Sequence, residues 1–416
     1  MTAPHIHRAI DAVWRIESAR LIAGLARIVR DVGAAEDLAQ DALLAALQQW
    51  PESGVPNNPG AWLMAVAKNR AVDHVRRNRL IDRKHEDIGR TLTSANHDAP
   101  VDLDDDVGDD LLRLIFTVCH PILSTEARAA LALRLLCGLT TDEIARAFLV
   151  SEPTVAQRIV RAKRTLAEKS IPFEVPRGED RSGRLASVLE VVYLVFNEGY
   201  TATAGDDWTR PTLCEEALRL GRILAELTPD EPEVHGLVAL MEIQSSRSRA
   251  RVGPSGEPVL LLDQDRSRWD HLLIRRGLAA LDRASKIGGL GSYALQAAIA
   301  ACHARAVVPE ATDWAEIARL YAELARVAPS PVVELNRAVA VAMAFGPQAG
   351  LDLVDALGDV PALRDYHLLP TVRGDFLARL GRKDEARLEF SRAADLTRNA
   401  RERALLLDRA RDCRSS

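Results

Sequence analysis

The stretch from Leu139 to Leu166, LTTDEIARAFLVSEPTVAQRIVRAKRTL, leaves room for little besides two helices and a short turn. Thr140 stands three residues before Glu143, the spacing of a capping box, so the first helix is expected to start there. Ile144, Ala145 and Phe148 then share a face, and Leu149-Val150 forms the turn. Ser151 suits an N-cap, and Pro153 is tolerated only in a first turn, where backbone donors have no helical acceptor. Val155, Ile159 and Leu166 make an apolar stripe on the second helix. Ser151, Glu152, Thr154, Gln157, Arg158, Arg161 and Arg164 lie off that stripe, with Lys163 near the end. A helix apolar on one side and polar to basic on the other has the geometry of a helix-turn-helix recognition helix. An ordinary helical hairpin with a solvated basic face has the same pattern.

Helix is expected throughout. The chain has 416 residues, 47% hydrophobic and only 4% aromatic, rich in Ala, Leu and Arg, with no convincing period-two strand pattern. That length supports two or three domains with their own cores. A net charge of −5 argues against a protein coated in nucleic acid, yet allows a local basic patch. The five cysteines are scattered without a CxxC pair, which favours reduced thiols. No signal-peptide core or bilayer-length apolar run is present, so a soluble cytoplasmic protein with no membrane partner is expected.

Residues 8–80 read as a helical domain. Ile10, Val13, Trp14, Leu21, Leu25 and Ile28 share a face, and Gly33 is expected to end that helix. Ala35 to Leu47 forms a second helix with Leu38, Ala42 and Leu43 inward. Glu36, Asp37, Gln40 and Asp41 are placed outward, where acids suit the N-terminal dipole. That face serves solubility or docks a basic partner. Pro51 to Gly60 reads as a loop. Ala61 to Arg79 forms a third helix with Trp62, Leu63, Val66, Val72 and Val75 apolar, and Lys68, Arg70, Arg76, Arg77 and Arg79 basic. Asn69 and Asp73 lie one turn apart on one side. Cations beside an Asn and a Trp suit a nucleic-acid strand, although Trp62 also fits a core position.

The combination of DLAQDALLAAL (Asp37 to Leu47), WLMAVAKNRAVDHVRR (Trp62 to Arg77) and the hairpin at Leu139 to Leu166 resembles the extracytoplasmic-function (ECF) sigma factors of the sigma-70 family. The order also fits: region 2 at 8–80, an acidic flexible linker at 81–110, region 4 at 111–170. The resemblance implies an all-α fold, a region 2 bundle followed by a region 4 helix-turn-helix bundle. It implies that Asp37, Gln40, Asp41 and Leu44 dock on core RNA polymerase, whose β′ clamp and β flap would be the partners. Trp62, Asn69, Arg70, Asp73, Arg76 and Arg77 would engage the promoter −10 element. The loop from Pro51 to Gly60 would border the pocket for a flipped base, which must return the few kcal/mol of unstacking. Ser151, Glu152, Thr154, Gln157, Arg158, Arg161 and Arg164 would serve the −35 element. Gln157 and Arg158 would read base edges there, and Arg161, Lys163 and Arg164 would hold phosphates. Many relatives carry Lys or Arg where Ala156 stands, so one cationic contact is missing here.

Asp98, Asp102, Asp104, Asp105, Asp106, Asp109 and Asp110 fall in a run without a basic residue, expected to be extended. It is a solvated linker or an RNA mimic within the polymerase cleft. Cys119-His120 invites a metal reading, but adjacent residues on a helix diverge and no second pair is close, which favours a structural role.

Residues 171–184 are rich in Pro, Gly and charge and read as a linker. Beyond them, residues 185–416 suggest tetratricopeptide-like helical hairpins, which leave a face for a peptide or protein partner. The clearest pair is Leu368 to Leu380 and Lys383 to Thr397, turning at Gly381-Arg382. TVCHPILSTEARAALALRLLCGL (Thr117 to Leu139), FNEGYTAT (Phe196 to Thr203), LLLDQDRSRWD (Leu260 to Asp270) and SPVVELNRAVAVA (Ser330 to Ala342) resemble the sigma-factor subgroup with a fused C-terminal tetratricopeptide domain. In that subgroup the tail is thought to control or support activity. Asn197, Glu198, Asp263, Asp265, Arg266, Arg268 and Trp269 either tie a loop to the helices or form a ligand site.

No phosphate loop, HExxH or nucleophile elbow occurs. An acidic metal cluster of Glu198, Asp263 and Asp265 is conceivable, but the chain is not expected to be an enzyme, and no catalytic residue, metal or cofactor is expected. A helical-repeat adaptor carrying an operator-binding hairpin is the competing class. Such a regulator needs neither the Asp37 to Leu47 helix nor the Trp62 to Arg77 helix.

Overall fold

Leu21, Ile22 and Leu25 are all but fully buried, and they begin the core of the N-terminal unit. The computed structural model describes residues 3–86, 107–148, 150–201, 210–253, 257–397 and 399–413. Those residues are mostly α-helical with short 3-10 turns, and an isolated antiparallel bridge pairs Val252 with Pro258. They divide into two compact units, Met1–Val192 and Tyr193–Ser416. No described helix is long and apolar enough to cross a membrane.

The first unit contains α1 (Ala3–Val29), α2 (Val32–Ser53), α3 (Pro59–Glu86), α4 (Val107–Val118), α5 (Thr125–Leu135), α6 (Thr141–Phe148), α7 (Glu152–Glu168) and the first part of α8 (Glu179–Tyr200). Helix α1 packs on α2, α3 and α4. It ends earlier than its glycine suggested. Arg30 takes a φ of 56°, and Asp31 then caps α2 by accepting from the Ala34 N–H at 2.7 Å. Gly33 therefore lies in the first turn of α2, because a side-chain cap supplies a helix start before it. Helix α2 also runs through Pro51 to Ser53, so only residues 54–58 separate it from α3, a shorter gap than Pro51 to Gly60.

The acidic run divides. Asp98, Asp102, Asp104, Asp105 and Asp106 lie outside the described residues. Asp109 and Asp110 form the first turn of α4, where carboxylates suit the helix dipole. Asp110 is buried and pairs with Arg27 at 3.2 Å and Arg113 at 2.6 Å, so this end of the run is folded.

The Pro- and Gly-rich stretch 171–184 contributes the first turns of α8. That part of α8 belongs with α4 and α5. The Arg184 guanidinium donates to the Phe116 carbonyl at 2.8 Å, the Ser187 hydroxyl donates to the Cys119 carbonyl at 2.6 Å, and Arg128 pairs with Glu190 at 3.0 Å. Burial pushes the Cys119 thiol up to about 12, and His120 Nδ1 accepts from the Ile122 N–H at 3.1 Å. Both side chains are engaged in the local fold, and among the described residues no group of three or more His, Cys, Asp or Glu could hold a metal ion.

The second unit continues with α9 (Pro211–Leu227), α10 (Pro232–Ser245), α11 (His271–Ile287), α12 (Ser292–Arg305), α13 (Trp314–Val327), α14 (Pro331–Phe345), α15 (Pro347–Asp355), α16 (Leu368–Arg379), α17 (Lys383–Leu396) and α18 (Ala400–Asp412). Successive helices pack on one another as an array. At Gly236 a Cβ would stand 2.6 Å from the Ala294 backbone nitrogen, so glycine permits the close approach of α10 and α12. Gly381, with φ 79°, makes the turn between α16 and α17, and Phe390 fills the core beside them. Helix α18 extends the array beyond the last hairpin read from the sequence.

Candidate nucleic-acid interface

Helix α6 starts with the reciprocal cap expected of Thr140 and Glu143. The Thr140 N–H donates to Glu143 Oε2 at 2.8 Å, and the Glu143 N–H donates to Thr140 Oγ1 at 3.2 Å. Arg15 of α1 adds an ion pair to Glu143 at 2.7 Å. Burial by itself raises the Glu143 carboxyl, but its bonds to Thr140 and the charge of Arg15 hold it below the usual range.

Helix α7 starts at Ser151, whose hydroxyl accepts from the Thr154 N–H at 3.4 Å. Val155, Ile159, Ala162 and Leu166 are buried on one face. Ser151, Glu152, Gln157, Arg161 and Arg164 are exposed, and Thr154 and Arg158 are half-buried. Arg164 pairs with Glu168 at 2.6 Å within the helix. Glu126, at the start of α5, is held below the usual carboxylate range chiefly by hydrogen bonds in its own turn, with a smaller contribution from Arg158. Val160 is 63% exposed and lies between Gln157 and Arg164 on the outward face. Sequence reading passed over it because apolar residues are assigned to cores by default, although its register with Gln157 was legible.

Lys163 differs from the expectation. Its ammonium turns to Glu36 of α2, and the Arg134 guanidinium of α5 donates to the same carboxylate at 2.7 Å. Glu36 is 2% exposed, so it is not on the outward acidic face. Burial alone raises its carboxyl, but Lys163 and Arg134 offset that and hold it below the usual range. Gln40 also donates to Glu36 at 2.7 Å, and it is therefore partly drawn into this network. A cavity of about 580 Å³ lies beside it, lined in part by Arg27, Arg30, Lys163 and Phe173.

The remaining residues of that face stand as the spacing suggested. Asp37, Asp41 and Leu44 are exposed, at i, i+4 and i+7 along α2. Leu44 is 56% exposed, an apolar side chain set among acids. On α3, Asn69, Arg70, Asp73, Arg76 and Arg77 are all exposed. Arg70 reaches Asp41 at 3.2 Å, which joins the two faces at one point. Trp62 is half-buried, edge-on to the buried Trp50 with ring centroids 5.3 Å apart. Its ring thus has a packing partner and a solvent-facing part.

Comparison with known proteins assigns the two halves of this surface. Residues 16–81 match the family described as Sigma-70 region 2, and residues 113–166 match Sigma-70, region 4. Residues 184–285 match a family of unknown function. An uncharacterized protein of Rhizobium meliloti (strain 1021) is 46% identical over 394 residues, 92% of this chain and 90% of that protein. The probable ECF RNA polymerase sigma factor SigI of Mycobacterium tuberculosis (strain ATCC 25618 / H37Rv) is 27% identical over 198 residues, 45% of this chain and 68% of that protein. The ECF RNA polymerase sigma factor SigC of Mycobacterium tuberculosis (strain CDC 1551 / Oshkosh) is 28% identical over 147 residues, 35% of this chain and 75% of that protein. Regions 2 and 4 thus fall in order on the helices whose exposed faces were just described; the chain carries both sigma-70 regions and belongs to one family with the uncharacterized Rhizobium meliloti protein.

Proposed function

We propose that the chain is an alternative sigma factor of the ECF type, which binds core RNA polymerase and directs promoter-specific initiation of transcription. The observation that carries this reading is α7, where Gln157, Val160 and Arg161 stand exposed opposite a fully buried stripe. Such a face enters a major groove: Gln157 and Arg158 pair with base edges, Val160 meets a thymine methyl, and Arg161 and Arg164 neutralise phosphates. Ser151, Glu152 and Thr154 sit at the helix start, whose N–H groups favour a phosphate.

Asp37, Gln40, Asp41 and Leu44 dock on the polymerase β′ clamp, and the region 4 module meets the β flap. Trp62, Asn69, Arg70, Asp73, Arg76 and Arg77 engage the −10 element, where cations take phosphates and the Trp ring takes an unpaired base. The two promoter elements are roughly 25 base pairs apart by name, about 85 Å of duplex at 3.4 Å per pair. The contact of α7 with α2 through Lys163 and Glu36 does not span that distance. Engagement of both elements therefore separates α2 from α5 and α7, and Lys163 becomes available to DNA only then. Residues 185–416, read as a tetratricopeptide-like array, set activity through a protein or peptide partner. The function is binding, without catalysis or a cofactor.

Run-off transcription with purified core RNA polymerase and the gene's own upstream DNA tests the reading. A discrete transcript dependent on the chain is expected. Binding to duplex DNA without polymerase, and no transcript, would instead favour an operator-binding regulator.

A further inference from the structure

Helices α8, α10, α12, α13 and α14 frame a cavity of about 460 Å³ within the second unit. That is the size of a small-molecule site. Four carboxamides line it, Asn197, Gln244, Gln296 and Asn336, together with Arg247 and His303. Phe196, Leu240 and Ile299 supply an apolar wall.

Arg247 is the charged group of this lining, and its partners are neutral. It donates to the Tyr200 hydroxyl at 2.6 Å and to the Gln244 side-chain carbonyl, and it lies 5.8 Å from the Tyr200 and Trp269 ring centroids. Its Nε is buried with no hydrogen-bond partner among the described residues. Close by, Arg266 is spent on structure. It donates to the carbonyls of His303 and Ala306 at 2.8 and 2.6 Å and to Thr312 Oγ1 at 3.2 Å, bracing the end of α12. The hydrogen-bond partners of both guanidiniums are neutral; Glu310 lies near Arg266, and it is Arg247 that brings positive charge to the cavity.

His303 responds to that charge. Burial first, then Arg247 and Arg266, lower its imidazole to about 4, so it is neutral near pH 7. It is 8% exposed, and its Nδ1 is buried with no partner among the described residues. A buried polar atom on a cavity wall costs free energy until a ligand bonds to it.

We propose that this cavity binds a small organic acid, its carboxylate on Arg247 and its hydrogen-bonding body among the four carboxamides. Gln244 already accepts from Arg247, and Gln296 bonds to the Tyr193 hydroxyl and the Ser292 carbonyl, so Asn197 and Asn336 are the amides that offer both a donor and an acceptor, and the ligand carries an amide or hydroxyl next to the acid. With one cation in the lining, a single carboxylate is matched better than a dianionic phosphate. The inference deepens the reading of residues 185–416 as the controlling part, and rests on that reading for its consequence.

Calorimetric titration of the full chain tests it, with N-acetyl-leucine, its neutral carboxamide and triglycine as probes. The acid is expected to bind, and the carboxamide to bind at least about tenfold more weakly, since a charge-assisted bond is lost. Arg247→Gln should abolish the preference. Asn336→Asp, at an exposed position, should weaken the acid while leaving the fold intact. Tighter binding of triglycine would identify a peptide terminus as the source, and tighter binding of N-acetyl-leucine a free acid; both support the site. Equal binding of acid and carboxamide, no binding of either acid, or wild-type affinity in both variants overturns it. Run-off transcription is measured in parallel: binding without transcription defeats the sigma-factor reading alone, and transcription without binding defeats this one alone.

Discussion

The carboxylate of Glu36 on α2 accepts from Arg134 Nε on α5 at 2.7 Å and also pairs with Lys163 on α7. One buried acid thus ties a helix of the region 2 match to two helices, α5 and α7, of the region 4 match. Glu36→Gln keeps the shape and removes the charge, leaving two cations without their counter-ion. Both cations are about a quarter exposed or less, so water moderates the loss. The first unit should lose about 1–3 kcal/mol, read from its unfolding in urea.

The same pair sets an acid dependence. Glu36 has a folded-state pKa below its ordinary value of 4.5. Its contribution is therefore complete above the unfolded value and disappears as pH falls through the lower folded one. Wild-type stability should fall more steeply below about pH 4.5 than that of Glu36→Gln, and parallel curves would contradict this.

Asp37 is exposed, whereas Asp41 has Arg70 at 3.2 Å. Asp37→Lys is thus the cleaner probe of polymerase docking. It should leave the helical circular-dichroism spectrum unchanged and weaken association with core enzyme about tenfold or more, as charge reversal at an interface does. Asp41→Lys would also repel Arg70 and confuse the two faces.

Arg158 and Arg161 are assigned different work on DNA. Arg158→Ala should lower discrimination at the −35 element by about 1–3 kcal/mol. Arg161→Ala should weaken binding to every sequence alike and reduce the salt slope by about 1. Competition binding at several salt concentrations separates the two outcomes.

Truncation tests where control begins. Deletion of residues 185–416 removes Ser187 and Glu190, which bond to the Cys119 carbonyl and Arg128 in the first unit. Deletion of 201–416 keeps them. The shorter truncation should therefore melt at a higher temperature than the longer one. Both are expected to lose transcription, and a hyperactive truncation would overturn that expectation.

Local chemistry was legible in the sequence. The Thr140–Glu143 cap, the Ser151 start of α7 and the buried Val155–Ile159–Leu166 stripe follow from spacing alone, because each involves residues within a few turns of one another. The exposure of Asp37, Asp41, Asn69, Arg76 and Arg77 follows from the same periodicity. Glu36 does not. A charged residue near a helix start is expected at the surface, since burial of a lone carboxylate is costly. Here the cost is offset by Arg134, 98 residues away, and by Lys163 on a still later helix. The cavity of the second unit has the same origin, drawing Asn197, Gln244, Gln296 and Asn336 from four helices. Periodicity decides which face of a helix is apolar, but only packing decides which distant charge or amide meets it.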